Sequence, residues 1–156
     1  MKKSNTQKVL HIYLDVCCLN RPFDDQTQDR IRFEAESVII LLKHTASGKI
    51  RLIGSDVMRF EINKTPDPVR KSQLTSLAAY MSKFTRLSDK IVNLAYNLQN
   101  TGFGSLDSLH IACAELSGAD LFVTTDDTII KLYNKKPGLL RIRIENPVTI
   151  VQELLL

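Results

Sequence analysis

The sequence predicts a three-layer α/β/α sandwich around a mostly parallel central sheet. Three observations carry this. Short apolar runs without polar alternation, Val9–Leu14 and Leu121–Thr124 above all, read as strands buried on both faces. Between them lie segments with apolar residues at helical spacing, of which Gln28–Lys43 and Leu106–Leu116 are the clearest. Strands that alternate with helices in this way imply crossover connections and hence parallel pairing.

Taken in order, Val9–Leu14 is a buried strand that ends on Asp15. Gln28–Lys43 sets Ile31, Ala35, Val38, Ile39 and Leu42 on one stripe, with Arg32 and Glu36 off it, and Gly48 closes the helix. Ile50–Ile53 is a short second strand. Ser55 caps a helix from Asp56 to about Lys64, which Pro66 terminates. Pro68–Ser82 reads as a helix and Phe84–Leu87 as a weak strand. Ser88 or Asp89 then caps a helix to about Gln99. Leu106–Leu116 is a helix stopped by Gly118, and Leu121–Thr124 a strand that enters "TTDD", the start of a helix through Tyr133. Leu140–Ile144 is a last strand, and Pro147–Leu155 a terminal helix or strand. All six glycines fall at expected element boundaries.

At 156 residues the chain is expected to form a single domain, 1–156. Its 44% hydrophobic content against 24% charged residues excludes a disordered chain. The longest aliphatic run, Val38 to Leu42, is far too short to span a bilayer. Met1–Lys8 is basic but lacks the apolar stretch and cleavage site of a signal peptide, so a cytoplasmic location is expected. Cys17, Cys18 and Cys113 make neither a disulfide framework nor a zinc spacing with His11, His44 or His110, and read as small hydrophobes. The net charge of +4 is compatible with a polyanionic partner without requiring one.

In a parallel sheet the working cleft lies beyond the carboxyl ends of the strands. Asp15 and Asp126 both leave strands at that rim, although a turn and a helix cap account for each equally well. Asp107 sits in the first turn of a helix whose faces are both apolar: Leu106, Leu109, Cys113 and Leu116 on one side, Ile111 and Ala114 on the other. The positive helix end favours a carboxylate there, and so does a partner such as a base or a metal. Glu61 follows Val57 by four residues and points the same way.

Several stretches occur together and in order: "YLD", "SDVMRFEINK", and "LDSLHIACAELSGADLFVTTDD". Together they resemble the PIN domain family, and "CCLNRPFDD" resembles the opening of a bacterial subgroup of it. The resemblance covers most of the chain. It implies a metal-dependent ribonuclease, as in the toxin halves of VapBC-type toxin–antitoxin pairs. It implies a catalytic and metal-binding quartet of Asp15, Glu61, Asp107 and Asp126, with Thr124 in the supporting position two residues before the last acid. It also implies a homodimer. Val16-Cys17 departs from the Thr-Asn or Thr-Ser that follows the first acid in many members.

Converging carboxylates need a cation or protons to be tolerable. An all-oxygen set suits Mg²⁺ or Mn²⁺. The expected reaction is hydrolysis of an RNA phosphodiester, with an antitoxin protein as a further partner. Arg21, Arg59 and Lys131, together with Lys135 and Lys136, lie within reach of the rim to meet phosphates, and solvated surface is the plain alternative for each. Asn20, Asp24 and Asp25 border the cleft or serve a turn. The aromatic residues sit mostly at core-like positions, with no strong platform for stacking bases. The rival readings are a phosphatase or receiver domain, for which the second acid is missing, and a PIN-like RNA- or protein-binding module that does not cut.

Overall fold

The computed structural model describes residues 8–155; the basic segment read as no signal peptide lies, except for Lys8, outside the described residues. The elements are β1 (Leu10–Leu14), α1 (Val16–Asn20), a 3-10 turn (Arg21–Phe23), α2 (Asp29–Ala46), β2 (Ile50–Ser55), α3 (Asp56–Asn63) and α4 (Pro68–Ala78). They continue as β3 (Met81–Thr85), α5 (Asp89–Asn100), α6 (Ser105–Leu116), β4 (Leu121–Val123), α7 (Asp127–Asn134), β5 (Arg143–Glu145) and α8 (Pro147–Leu155). The strands form one sheet in the order β3-β2-β1-β4-β5, and every pairing is parallel.

Strand β1 is central because Ile12, Tyr13 and Leu14 are fully buried and need cover on both faces. Its carboxyl end marks the switch point: the chain leaves β1 for β2 on one side, and returns to β4 on the other. Because these two crossovers step in opposite directions, right-handed connections put α2 and α6 on opposite faces. Helix α2 packs on β2 and against α8; α6 packs on β2 and β4, with α5 against it. Among the described residues no helix is long and apolar enough to cross a membrane.

Most expected elements are present, and the departures have local causes. Residues 16–23, read as loop, form α1 and the 3-10 turn, and Asp15 itself caps α1. The helix from Pro68 stops at Ala78, and Met81 and Ser82 belong to β3. This is an edge strand whose exposed Ser82 and Lys83 erase any apolar run, and Ser82 Oγ donates to Leu52 O (3.2 Å) where the register with β2 shifts. Strand β5 begins only at Arg143, because the Glu115 carboxylate takes the amides of Arg141 (2.9 Å) and Ile142 (3.0 Å).

In α2 the buried stripe is rotated from the expected one. Glu34, Ser37 and Leu41 face inward and Ile39 is exposed, since Glu34 is drawn in by Arg21 (3.1 Å) and Asn146 (2.6 Å). Leu116 is likewise exposed at the end of α6. Tyr13, Phe103 and Phe122 are in the core and Phe23, Phe84 and Tyr133 pack against it, whereas Phe33, Phe60, Tyr80 and Tyr96 are exposed, each on a helix or turn whose other side supplies the packing. Gly54 lies inside β2 rather than at a boundary, and a Cβ there would meet the Phe84 ring at 2.6 Å.

Candidate active site

Asp15 is delivered by β1, whose ladder runs one residue beyond the strand: Asp15 N donates to Val123 O (2.9 Å). Its side chain then does two things. Oδ1 accepts from Val16 N (2.9 Å), capping α1, and Oδ2 accepts from Thr124 Oγ1 (2.9 Å). Thr124 is fully buried, and the same hydroxyl accepts from Asp126 N (3.1 Å). One side chain therefore ties the first acid to the backbone of the last. Cys17, where a polar residue was expected, lies with Sγ 3.4 Å from Thr124 Oγ1 and accepts from Thr125 N (3.4 Å). Burial pushes the Asp15 carboxyl up, and Glu61 adds to this, while His110 and the Thr124 hydrogen bond work against it.

Glu61 comes from α3, whose start is fixed by Ser55 Oγ accepting from Met58 N (3.0 Å). Glu61 Oε2 lies 2.7 Å from His110 Nε2, and the other ring nitrogen, Nδ1, lies 2.6 Å from Tyr13 Oη. Tyr13 Oη is also 2.6 Å from Ser55 Oγ. Asp15, Glu61 and His110 each offer a donor atom, and these lie within 4.8 Å of one another.

Asp107 is the third residue of α6, where exposed helix amides favour a carboxylate. Its carboxylate rests over Gly104: a Cβ on that residue would sit 3.1 Å from Oδ2. Burial raises the Asp107 pKa, then the charges of Asp15 and Asp126, with a smaller push from Glu61 and relief from His110. Asp126 caps α7, its Oδ1 accepting from Thr128 N (2.9 Å). Helix α7 is held to α2 by Arg30, which donates to both carboxylate oxygens of Asp127 (2.7 Å each).

Of the four acids expected, Asp15 and Glu61 come together with His110 at the β1/β4 switch point, and Asp107 and Asp126 lie outside that cluster. Asp15 and Glu61 form the tight part, and Asp107 sits near enough to feel the charges of all the others. His110 is the residue that sequence reasoning missed, having weighed it only as a zinc ligand with the cysteines. The available signal was its spacing: three residues after Asp107, it shares that helical face. The oxygen-rich donor set fits a hard divalent cation, and Asp15 and Asp107, raised by burial and then by neighbouring acids, are carboxylates that such an ion would neutralise.

The supporting residues have structural partners. Asn20 Nδ2 donates to Val16 O (3.1 Å) within α1, and its Oδ1 accepts from Arg70 (2.9 Å). Arg21 bonds Glu34 (3.1 Å) and Asp24 (2.9 Å). Asp25 holds a turn through Thr27 N (3.0 Å). Arg59 lies over the Phe84 ring, 3.7 Å from its centroid, and Lys131 is exposed in the last turn of α7.

No family model matches this chain, and no curated protein does. Among solved structures, a chain in the crystal structure of VapBC2 from Rickettsia felis bound to a DNA fragment from their promoter aligns with a TM-score of 0.55. The two are 18% identical, over 88% of this chain and 98% of that one. The fold is PIN-like. At this identity the likeness speaks for the architecture, and the chemistry rests on the side chains described above.

Proposed function

We propose that the chain is a Mg²⁺- or Mn²⁺-dependent endoribonuclease that hydrolyses RNA phosphodiester bonds. The observation that carries this reading is the meeting of Asp15 and Glu61, with Asp107 beside them, at the rim where a parallel sheet places its working cleft. Asp15, Asp107 and Asp126 would hold the ion, with Glu61 completing the set or orienting the attacking water. When bound, the ion supplies a Lewis acid for the phosphoryl group and lowers the pKa of water. The protein's own contribution is orientation. Thr124 and the Val16 amide fix the two oxygens of Asp15, the α7 cap fixes Asp126, and His110 meets Glu61. Arg59 and Lys131 supply positive charge for an RNA backbone; Arg21 contributes through the α1 region that it braces.

The VapBC2 likeness supports a toxin role with an antitoxin protein as partner; a cytoplasmic location and a homodimer belong to the same proposal. The test is cleavage of structured RNAs by the purified protein with Mg²⁺ or Mn²⁺, beside Asp15→Asn. Wild-type protein should cut and EDTA should stop it. The variant should lose more than the ~10–100-fold that even outer partners of metal sites carry. Equal cutting by the variant would remove Asp15 from the mechanism, and no cutting at all would favour a binding module.

A further inference from the structure

An open cavity of about 360 Å³ lies between α3, α4 and the edge strand β3. Ile62, Ala78, Ala79 and Phe84 make its apolar walls, and Arg59, Asn63 and Thr75 bring the polar groups. Phe84 and Arg59 form a stack within it. Gly54 in β2 has no side chain, so the Phe84 ring lies down upon it: a Cβ there would meet that ring at 2.6 Å. The Arg59 guanidinium in turn lies over the ring, 3.7 Å from its centroid. We propose that this stack is a shelf for one unpaired nucleobase of an RNA strand, held against the open face of Arg59 while the strand runs on to the acidic cluster. RNA as the occupant rests on the nuclease reading; the shelf itself stands on Gly54, Phe84 and Arg59.

The polar groups of the cavity are unspent. Among the described residues neither Arg59 nor Asn63 has a hydrogen-bond or ion-pair partner, whereas the Thr75 hydroxyl donates to Lys71 O (2.8 Å). Asp56, one turn before Arg59, accepts from Leu87 N (3.0 Å) instead of pairing with it. Arg59 is exposed, so the guanidinium face turned away from Phe84 is open to a second flat group. Guanidinium planes are among the surfaces on which proteins stack unpaired RNA bases, and a side-chain amide such as that of Asn63 can both donate to and accept from a base edge. Charge agrees: Arg86, exposed two residues beyond Phe84, is a further cation without an acid partner among the described residues, and a polyanion is what such cations draw. Spacing agrees as well. Two residues along α3 turn through about 200°, so Arg59 and Glu61 sit on opposite sides of a helix roughly 10–12 Å wide with its side chains. A few nucleotides of extended RNA cover that distance, which sets the stacked base beside the bond to be cut and not at it. The platform escaped composition because a glycine in one strand and an arginine in a helix complete it.

The test is binding of a short single-stranded RNA, beside the same ribose–phosphate strand without its bases, followed by fluorescence anisotropy in EDTA. Wild-type protein should prefer the intact strand. Arg59→Lys keeps the charge and loses the plane. It should bind the intact strand roughly 5–150-fold more weakly, the worth of one stacked base. It should bind the base-free strand as wild type does, with the same dependence on salt. In ¹⁵N spectra of wild-type protein, the intact strand should shift the Arg59 Nε and Asn63 Nδ2 signals. Equal affinity of wild type for the two strands, or a lysine variant that binds the intact strand as well as wild type, overturns the shelf. So does RNA that binds without moving those two signals, and the cavity would then suit a side chain of a protein partner. Cleavage in Mn²⁺ separates this from the nuclease reading. Cutting by a wild type that binds both strands equally would keep the nuclease and remove the shelf; stacking on Arg59 without any cutting would keep the shelf and remove the nuclease.

Discussion

Thr124→Val is the substitution with the clearest expected cost. Valine keeps the shape of threonine and removes the one hydroxyl that serves both Asp15 Oδ2 and Asp126 N. A hydrogen bond to a charged group contributes about 1.5–3 kcal/mol, and a buried amide left without a partner costs about 1–3 kcal/mol. The added methyl returns about 0.8 kcal/mol of burial. The net loss should be about 2–5 kcal/mol, against the roughly 5–15 kcal/mol that a domain of this size holds, so the variant should still fold at low temperature. At about 2–4 °C per kcal/mol the midpoint should fall by roughly 4–20 °C. The assay is thermal and urea unfolding in EDTA, with Thr124→Ser as the control that keeps the hydroxyl. A valine variant as stable as the serine variant would refute the claim that this hydroxyl joins the two acids.

The remaining predictions concern the cluster and the sheet. Asp107 is held above the ordinary carboxylate range by burial and by Asp15 and Asp126, so the unfolded chain releases this proton first. Metal-free protein should therefore lose stability as pH rises from the unfolded value through the folded one, a loss that Asp107→Asn should remove. In EDTA at neutral pH that variant should be more stable than wild type by about 0.5–2 kcal/mol, the usual yield of one charge-optimising change. Saturating Mn²⁺ should reverse the order, because an ion at 100 times its Kd stabilises by about 2.7 kcal/mol and the variant binds it less well; an unchanged order would count against a shared site. Gly54→Ala should cost about 1–3 kcal/mol in urea unfolding, as the new methyl overpacks against Phe84; a neutral result would mean that the ring turns aside freely. Cleavage and its loss in Asp15→Asn should track Mn²⁺ binding by the same proteins, and activity without binding would point to other chemistry.

The mostly parallel sheet follows from features that a sequence displays openly. Fully apolar runs such as Leu121–Val123 have to be buried on both faces; Asp15 stands directly after one such run, and Asp126 three residues after another. Glu61 and Asp107 were legible through helical spacing. What was hidden depends on single tertiary contacts. Helix α1 is five residues long, too short for periodicity, and its cap is the candidate acid itself. The start of β5 is set by Glu115, twenty-six residues before Arg141. His110 was visible as a residue but not as a partner, because Tyr13 reaches it from β1 and Glu61 from α3.

The crossover from β3 to β4 also sets an order in time. Asp15 leaves the ribosome early, but Asp107 and His110 ride on the connection between those strands, and Asp126 follows β4. Strand β1 gains its second neighbour only when β4 arrives. During synthesis the growing chain therefore carries its acids apart, and long-range parallel pairing of this kind forms slowly once it can. An enzyme that cuts RNA would on this account stay harmless to its own messenger until β4 and the residues after it have been made.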